Sequence, residues 1–168
     1  MLFRSLSSLS NVLIWAEARW IGAGHFWTLA VEQQFYLLWG PVVLLVPRRA
    51  LFWGAVALFL IGPLWRLAIV AGGSPFLDVL LPGQADALGA GALMALARRD
   101  GPGRGLLRRI GHPLVTLGLV ALLLALAGLP AMGVARPPLI GWVILPAVVV
   151  LSAVALIEAA IRARRGSL

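Results

Sequence analysis

The chain has 168 residues, 61% of them hydrophobic, and a mean hydropathy of +0.99. Soluble domains hold about 45–50% apolar residues, so an ordinary soluble globular domain is excluded. The net charge of +8 rests on arginine alone and there is no cysteine, which excludes a disulfide framework and a thiolate metal site.

Met1 opens a segment with one arginine and serines set between leucines, but no long apolar core and no small-residue cleavage site. It does not read as a cleaved signal peptide; it reads as the end of a helix whose beginning is missing. A membrane span needs about 20 apolar residues, and about five runs qualify in chain order. The first covers residues 26–46 and is closed by Pro47, Arg48 and Arg49. The second covers 51–71 and stops at Gly72, Gly73, Ser74 and Pro75. The third, 82–97, is shorter and ends at Arg98 and Arg99. The fourth covers 113–129 and the fifth 139–161. Gly101, Pro102, Gly103, Arg104 and Gly105 make the one flexible linker. Backbone groups in lipid must bond within their own element, which leaves helices or closed barrels. These runs have helical length and no alternating polar face, so the expected fold is an all-α transmembrane helical bundle.

Basic and non-basic loops alternate. Arg48 and Arg49 precede the second run, and residues 72–81 carry no basic side chain. Arg98, Arg99, Arg104, Arg108 and Arg109 follow the third run, Arg136 stands alone, and Arg162, Arg164 and Arg165 close the chain. Arginine-rich loops stay on the cytoplasmic side, which places the C-terminus inside and the start of the first run outside. The arginines flank spans, so the charge reads as topology and not as a nucleic-acid surface. Abundant Ala, Gly, Leu and Arg point to a bacterial gene, hence to a multi-pass protein of the inner membrane.

Polar side chains inside such runs are costly and mark candidate sites. On a helix His25, Thr28, Glu32 and Tyr36 fall at i, i+3, i+7 and i+11, one face about 16 Å long. A carboxylate at that depth needs a donor, an arginine or a proton; the plainer alternative is that Glu32 pins the helix to a neighbour. Gln33 and Gln34 read as hydrogen-bonding glue between helices, and Trp27 and Trp39 as interfacial anchors. Arg66, inside the second run, must snorkel or pair, with Glu32, Asp86 or a substrate as the alternatives. Asp86, one turn into the third run, suits a helix N-terminus. Gly83, Ala87, Gly91 and Ala95 recur every fourth position, a stripe that admits a close helix neighbour. His112 reads as structural. Glu158 reads as a solvated partner of Arg162 at i+4. No phosphate loop, metal-ligand pair or serine-centred nucleophile motif is present.

Residues 25–39 read HFWTLAVEQQFYLLW. The stretch resembles the signature H-x-W-S-L-A-V-E-E-Q-F-Y-L-L-W-P of the acyltransferase-3 family of membrane O-acyltransferases. Thr28 stands for Ser, Gln33 for the second Glu and Gly40 for the Pro. Residues 82–96, PGQADALGAGALMAL, are similar to a second, looser pattern of that family; Asp86, Leu88 and Gly91 agree, while Gln84 stands where Arg is usual. The resemblance implies transfer of an acyl group, often acetyl, from acyl-CoA to a hydroxyl of a cell-surface glycan or lipid-linked sugar, with no bound cofactor. It implies catalytic roles for Glu32 and His25, and substrate contacts for Trp27, Thr28, Gln34, Tyr36, Arg66 and Asp86.

Family members are bundles of about ten helices. The histidine thought to act as base lies in their first membrane helix, and nothing here matches that element. The expected chain is therefore a single partial domain, 1–168, equivalent to the C-terminal half and partnered by lipid and by a missing N-terminal half. Two other classes remain open. One is a non-enzymatic helical membrane protein that binds partners through the face around Glu32. The other is half of a transporter whose path is lined by Glu32, Arg66 and Asp86.

Overall fold

A computed structural model of the chain describes residues 9–19, 26–72, 75–99 and 104–166. Among the described residues every regular element is a helix and there is no strand. The chain divides into two compact units, Met1–Leu88 and Gly89–Leu168.

The first unit holds α1 (Ser10–Glu17), α2 (Phe26–Leu45), α3 (Arg48–Val70) and two short 3₁₀ segments, Pro75–Val79 and Leu81–Gln84, that lead into α4 (Ala85–Arg98). Ala18 ends α1 in the left-handed region at φ 46, with its N–H on the Trp15 carbonyl. Between α2 and α3 the chain turns on Pro47, which has no N–H to continue a helix but whose carbonyl accepts from Ala50 and Leu51. Arg48 and Arg49 therefore form the first turn of α3 instead of a loop, and the second span starts earlier than residue 51. Leu51, Ala55, Gly62, Arg66 and Ile69 are the buried face of α3, spaced as a helical stripe. On α2 the buried residues are Ala30, Val31 and Phe35, and Phe35 stacks on Trp39 at 5.5 Å. The 3₁₀ segments are the hub of this unit: both pack on α2 and α3, and Pro75–Val79 also packs on α1.

The second unit holds the rest of α4, then α5 (Arg104–Ile110), α6 (Pro113–Gly128), a 3₁₀ turn Leu129–Met132, a π-helical turn Ile140–Ile144 and α7 (Leu145–Gly166). Proline at the first position of α6 suits its fixed φ, and His112 is the cap residue in extended backbone. Pro146 has no N–H for the Trp142 carbonyl, and the turn before it widens to π geometry, the usual adjustment where a helical bond is lost. α6 packs along α7, and α5 packs on both.

Among the described residues three helical stretches are long and apolar enough to cross a membrane: Arg48–Val70, Pro113–Met132 and Ile140–Arg164. Their outward side chains are apolar, as at Leu60, Leu114, Leu117 and Leu124. The other two expected spans do not reach this standard. α2 has the length, but Thr28, Glu32, Gln33 and Gln34 lower its hydropathy. α4 begins only at Ala85, because residues 81–84 wind as 3₁₀ around Pro82, and its 14 residues rise only about 21 Å against a hydrocarbon core of about 30 Å.

Candidate functional site

The polar centre of the first unit is Arg66. It is 3% exposed, and Asp86 beside it is 1% exposed. Arg66 Nη1 donates to Asp86 Oδ2 at 2.7 Å and Nη2 donates to Asp86 Oδ1 at 3.0 Å. This is the two-pronged geometry that suits guanidinium and carboxylate. Nη2 also donates to the Gly83 carbonyl, and Nε to Asp78 Oδ1 at 3.3 Å. Gln84 Nε2 donates to the Asp78 carbonyl at 3.3 Å, tying the two 3₁₀ segments together.

Local sequence puts these groups in place. Arg66 lies on the buried stripe of α3. Asp86 occupies the first turn of α4, where a negative charge also meets the positive end of the helix dipole. Gly62, one turn before Arg66, leaves room for Asp86: a Cβ there would stand 2.8 Å from Asp86 Cβ, Cγ and Oδ1. Asp78 lies outside the spans, and burial pushes its carboxyl above the usual range. The charge and hydrogen bond of Arg66 pull the other way, and the Asp86 charge adds to the rise.

Of the alternatives open for Arg66, pairing with Asp86 is the one observed; its bonds go to Asp86, Asp78 and Gly83 and none goes to Glu32. Asp86 combines its helix-start position with the ion pair. The face expected around Glu32 turns outward: Thr28, Glu32 and Tyr36 are exposed, Tyr36 by 64%. His25 lies outside the described residues, and Trp27 is half-buried. Gln34 meets Asn11 of α1 in a reciprocal amide pair, Asn11 Nδ2 to Gln34 Oε1 at 3.2 Å and Gln34 Nε2 to Asn11 Oδ1 at 3.0 Å, so it joins two helices as glue. Gly83 is buried, but Ala87, Gly91 and Ala95 are exposed while Ala90 and Ala97 are buried. The small-residue stripe is therefore not the packed face.

Asp78, Asn11 and Gly62 escaped the sequence reading. Asp78 carried one signal, an acid in an otherwise apolar segment rich in Pro and Gly. Asn11 carried a similar one, an amide among apolar neighbours. Among the described residues no group of His, Asp and Glu is placed to hold a metal ion. Chemically the Arg66 cluster is a closed clamp that fixes the start of α4 on α3, and the α2 face with Glu32 is an open polar surface. No family model, no curated protein and no solved structure matches the chain.

Proposed function

We propose that the chain serves membrane acyl transfer, from acyl-CoA to a hydroxyl of a cell-surface glycan or lipid-linked sugar. The observation that carries this reading is the stretch of residues 25–39, similar to the acyltransferase-3 signature, whose Thr28, Glu32 and Tyr36 are exposed together on α2. A carboxylate on such a surface suits a general base that takes the acceptor hydroxyl proton. Thr28 and Tyr36, each about one turn from Glu32 on the same face, supply hydroxyls that orient the sugar. In this proposal the arginine-rich ends of the spans lie in the cytoplasm of a bacterial cell, with the C-terminus there. Arg66, about 27 Å along α3 from Arg48 at 1.5 Å per residue, then stands near the outer surface, and its clamp with Asp86 and Asp78 holds the acceptor side in shape.

The test is transfer of labelled acetyl from acetyl-CoA to glycan in membranes that contain the chain with whatever partner it needs. Glu32→Gln keeps the shape and loses the charge. It is expected to leave insertion unchanged and to reduce transfer by about 10²–10⁴-fold, the range of a general base. Transfer at the level of the unchanged chain would overturn the assignment of Glu32. A second reading draws on the Asn11–Gln34 pair: α2 already recruits one helix with an amide, and its outward face would recruit a partner helix in the same way. In that case Glu32→Gln would weaken co-purification of the partner and leave no transfer to lose.

A further inference from the structure

The second unit contains a cavity of about 440 Å³ lined by Arg98, Arg104, Leu107, Arg108, Glu158, Ile161 and Arg162. Among the described residues that line it, one carboxylate faces four guanidinium groups. Glu158 accepts from Arg98 Nη2 at 2.7 Å and from Arg162 Nε at 3.3 Å, so its two oxygens are engaged by two of the four. Arg162 Nη2 donates to the Leu107 carbonyl and Arg104 Nη2 to the Arg98 carbonyl, both at 3.3 Å. These two carbonyl bonds hold Arg162 and Arg104 at the opening. Arg98 Nε is buried with no hydrogen-bond partner among the described residues, a donor that carries positive charge and costs free energy while unmet.

The cavity also has a place relative to the membrane. α6 starts at Pro113 and the last long span ends at Arg164. These two ends lie together, because α5 packs on both helices. α5 is short and amphipathic, with Leu106 61% exposed and Arg104 and Arg108 exposed beside it, the pattern of a helix lying in the interface plane. Leu107 and Ile161 give the cavity an apolar wall. An excess of arginine, an apolar wall and a position at the span ends suit a ligand with a phosphate head and a hydrocarbon tail.

We infer that this cavity binds a phosphate group at the membrane surface, and that an anionic phospholipid headgroup is the source its apolar wall favours. Two or three guanidinium forks grip the phosphate oxygens while the acyl chains run past Leu107 and Ile161. Acyl transfer plays no part in this site.

The full chain, purified in detergent, is given equal amounts of phosphatidylglycerol and phosphatidylcholine, and retained lipid is counted by native mass spectrometry; a second arm titrates pyrophosphate without lipid. The expected result is retention of phosphatidylglycerol over phosphatidylcholine. Arg108→Gln removes a side chain that is exposed and makes no hydrogen bond or ion pair among the described residues, and is expected to weaken that retention about fivefold, the usual worth of one basic residue near an anionic surface. Glu158→Gln is expected to strengthen it, which a purely structural role for Glu158 would not do. Pyrophosphate binding without lipid preference, lost in Arg108→Gln, would uphold the phosphate site and assign a soluble ligand. No preference for phosphatidylglycerol and no pyrophosphate binding would overturn the site. So would an equal loss from Arg49→Gln, an exposed arginine of the first unit.

Discussion

In the first unit one arginine is held by two aspartates; in the second one glutamate is held by two arginines. The parts are the same and the proportions are reversed, but burial separates the outcomes. The Arg66 and Asp86 side chains are 4% and 1% exposed, whereas Arg98 and Arg162 around Glu158 are 29% and 33% exposed. The sealed cluster spends its donors on Asp86, Asp78 and Gly83 and has little left to offer a ligand. The open cluster holds its glutamate and still presents guanidinium groups to a cavity. An ion pair alone thus says little about role; the water left around it decides between a clamp and a binding surface.

The largest effect expected from breaking this contrast is at Asp86. Asp86→Ala leaves Arg66 buried with the longer contact to Asp78 as its remaining ion pair and the Gly83 carbonyl as its other acceptor, and a buried pair broken on one side costs about 3–5 kcal/mol. Glu158→Ala is expected to cost about 1 kcal/mol, because its partners can reach water. Denaturation in micelles, followed by circular dichroism, measures both. Equal losses would erase the distinction between sealed and open clusters.

Next in size is the glycine that admits Asp86. Gly62→Ala pushes a methyl against the carboxylate and should destabilise by about 1–3 kcal/mol, the scale of overpacking. Gly91→Ala is its control, since a Cβ there meets nothing within 4 Å. In the middle of α4 it should stabilise by about 0.5–1 kcal/mol through helix propensity. A loss at both positions would erase the difference between the packed and the open glycine.

The smallest effect is a pH dependence. Burial raises the Asp78 carboxyl above its ordinary 3.8, so the folded chain holds this proton more tightly than the unfolded one. The contribution is fully present below 3.8 and is lost as pH rises through the folded value. Stability should therefore fall slightly across that window, and Asp78→Asn should flatten the slope. An unchanged slope in Asp78→Asn would assign the pH dependence to another group.

How much of this could be read from the chain varies by residue. The apolar runs announced helices, Pro47 announced the end of the first run and Pro113 the start of the fourth, because a missing N–H and a fixed φ act within a few residues. The pairing of Glu158 with Arg162 follows from i+4 spacing alone. Its second partner, Arg98, comes from a helix sixty residues away in sequence, and that contact turns a side chain read as solvated into one only 12% exposed.

The outward turn of Glu32 has the same origin. Helical periodicity groups Thr28, Glu32 and Tyr36 on one face, but it groups Ala30, Val31 and Phe35 on another just as well. α1 and the 3₁₀ hub pack on α2, and Ala30, Val31 and Phe35 are the residues that become buried. Sequence by itself determined the helical class, the apolar runs and the arginines at their ends, since hydropathy and charge act residue by residue. Tertiary structure alone decided that Arg66 meets Asp86 and Asp78 and that Gln34 meets Asn11. A buried polar group takes whichever complementary partner packing brings within hydrogen-bond reach, and no periodicity in the chain encodes that choice.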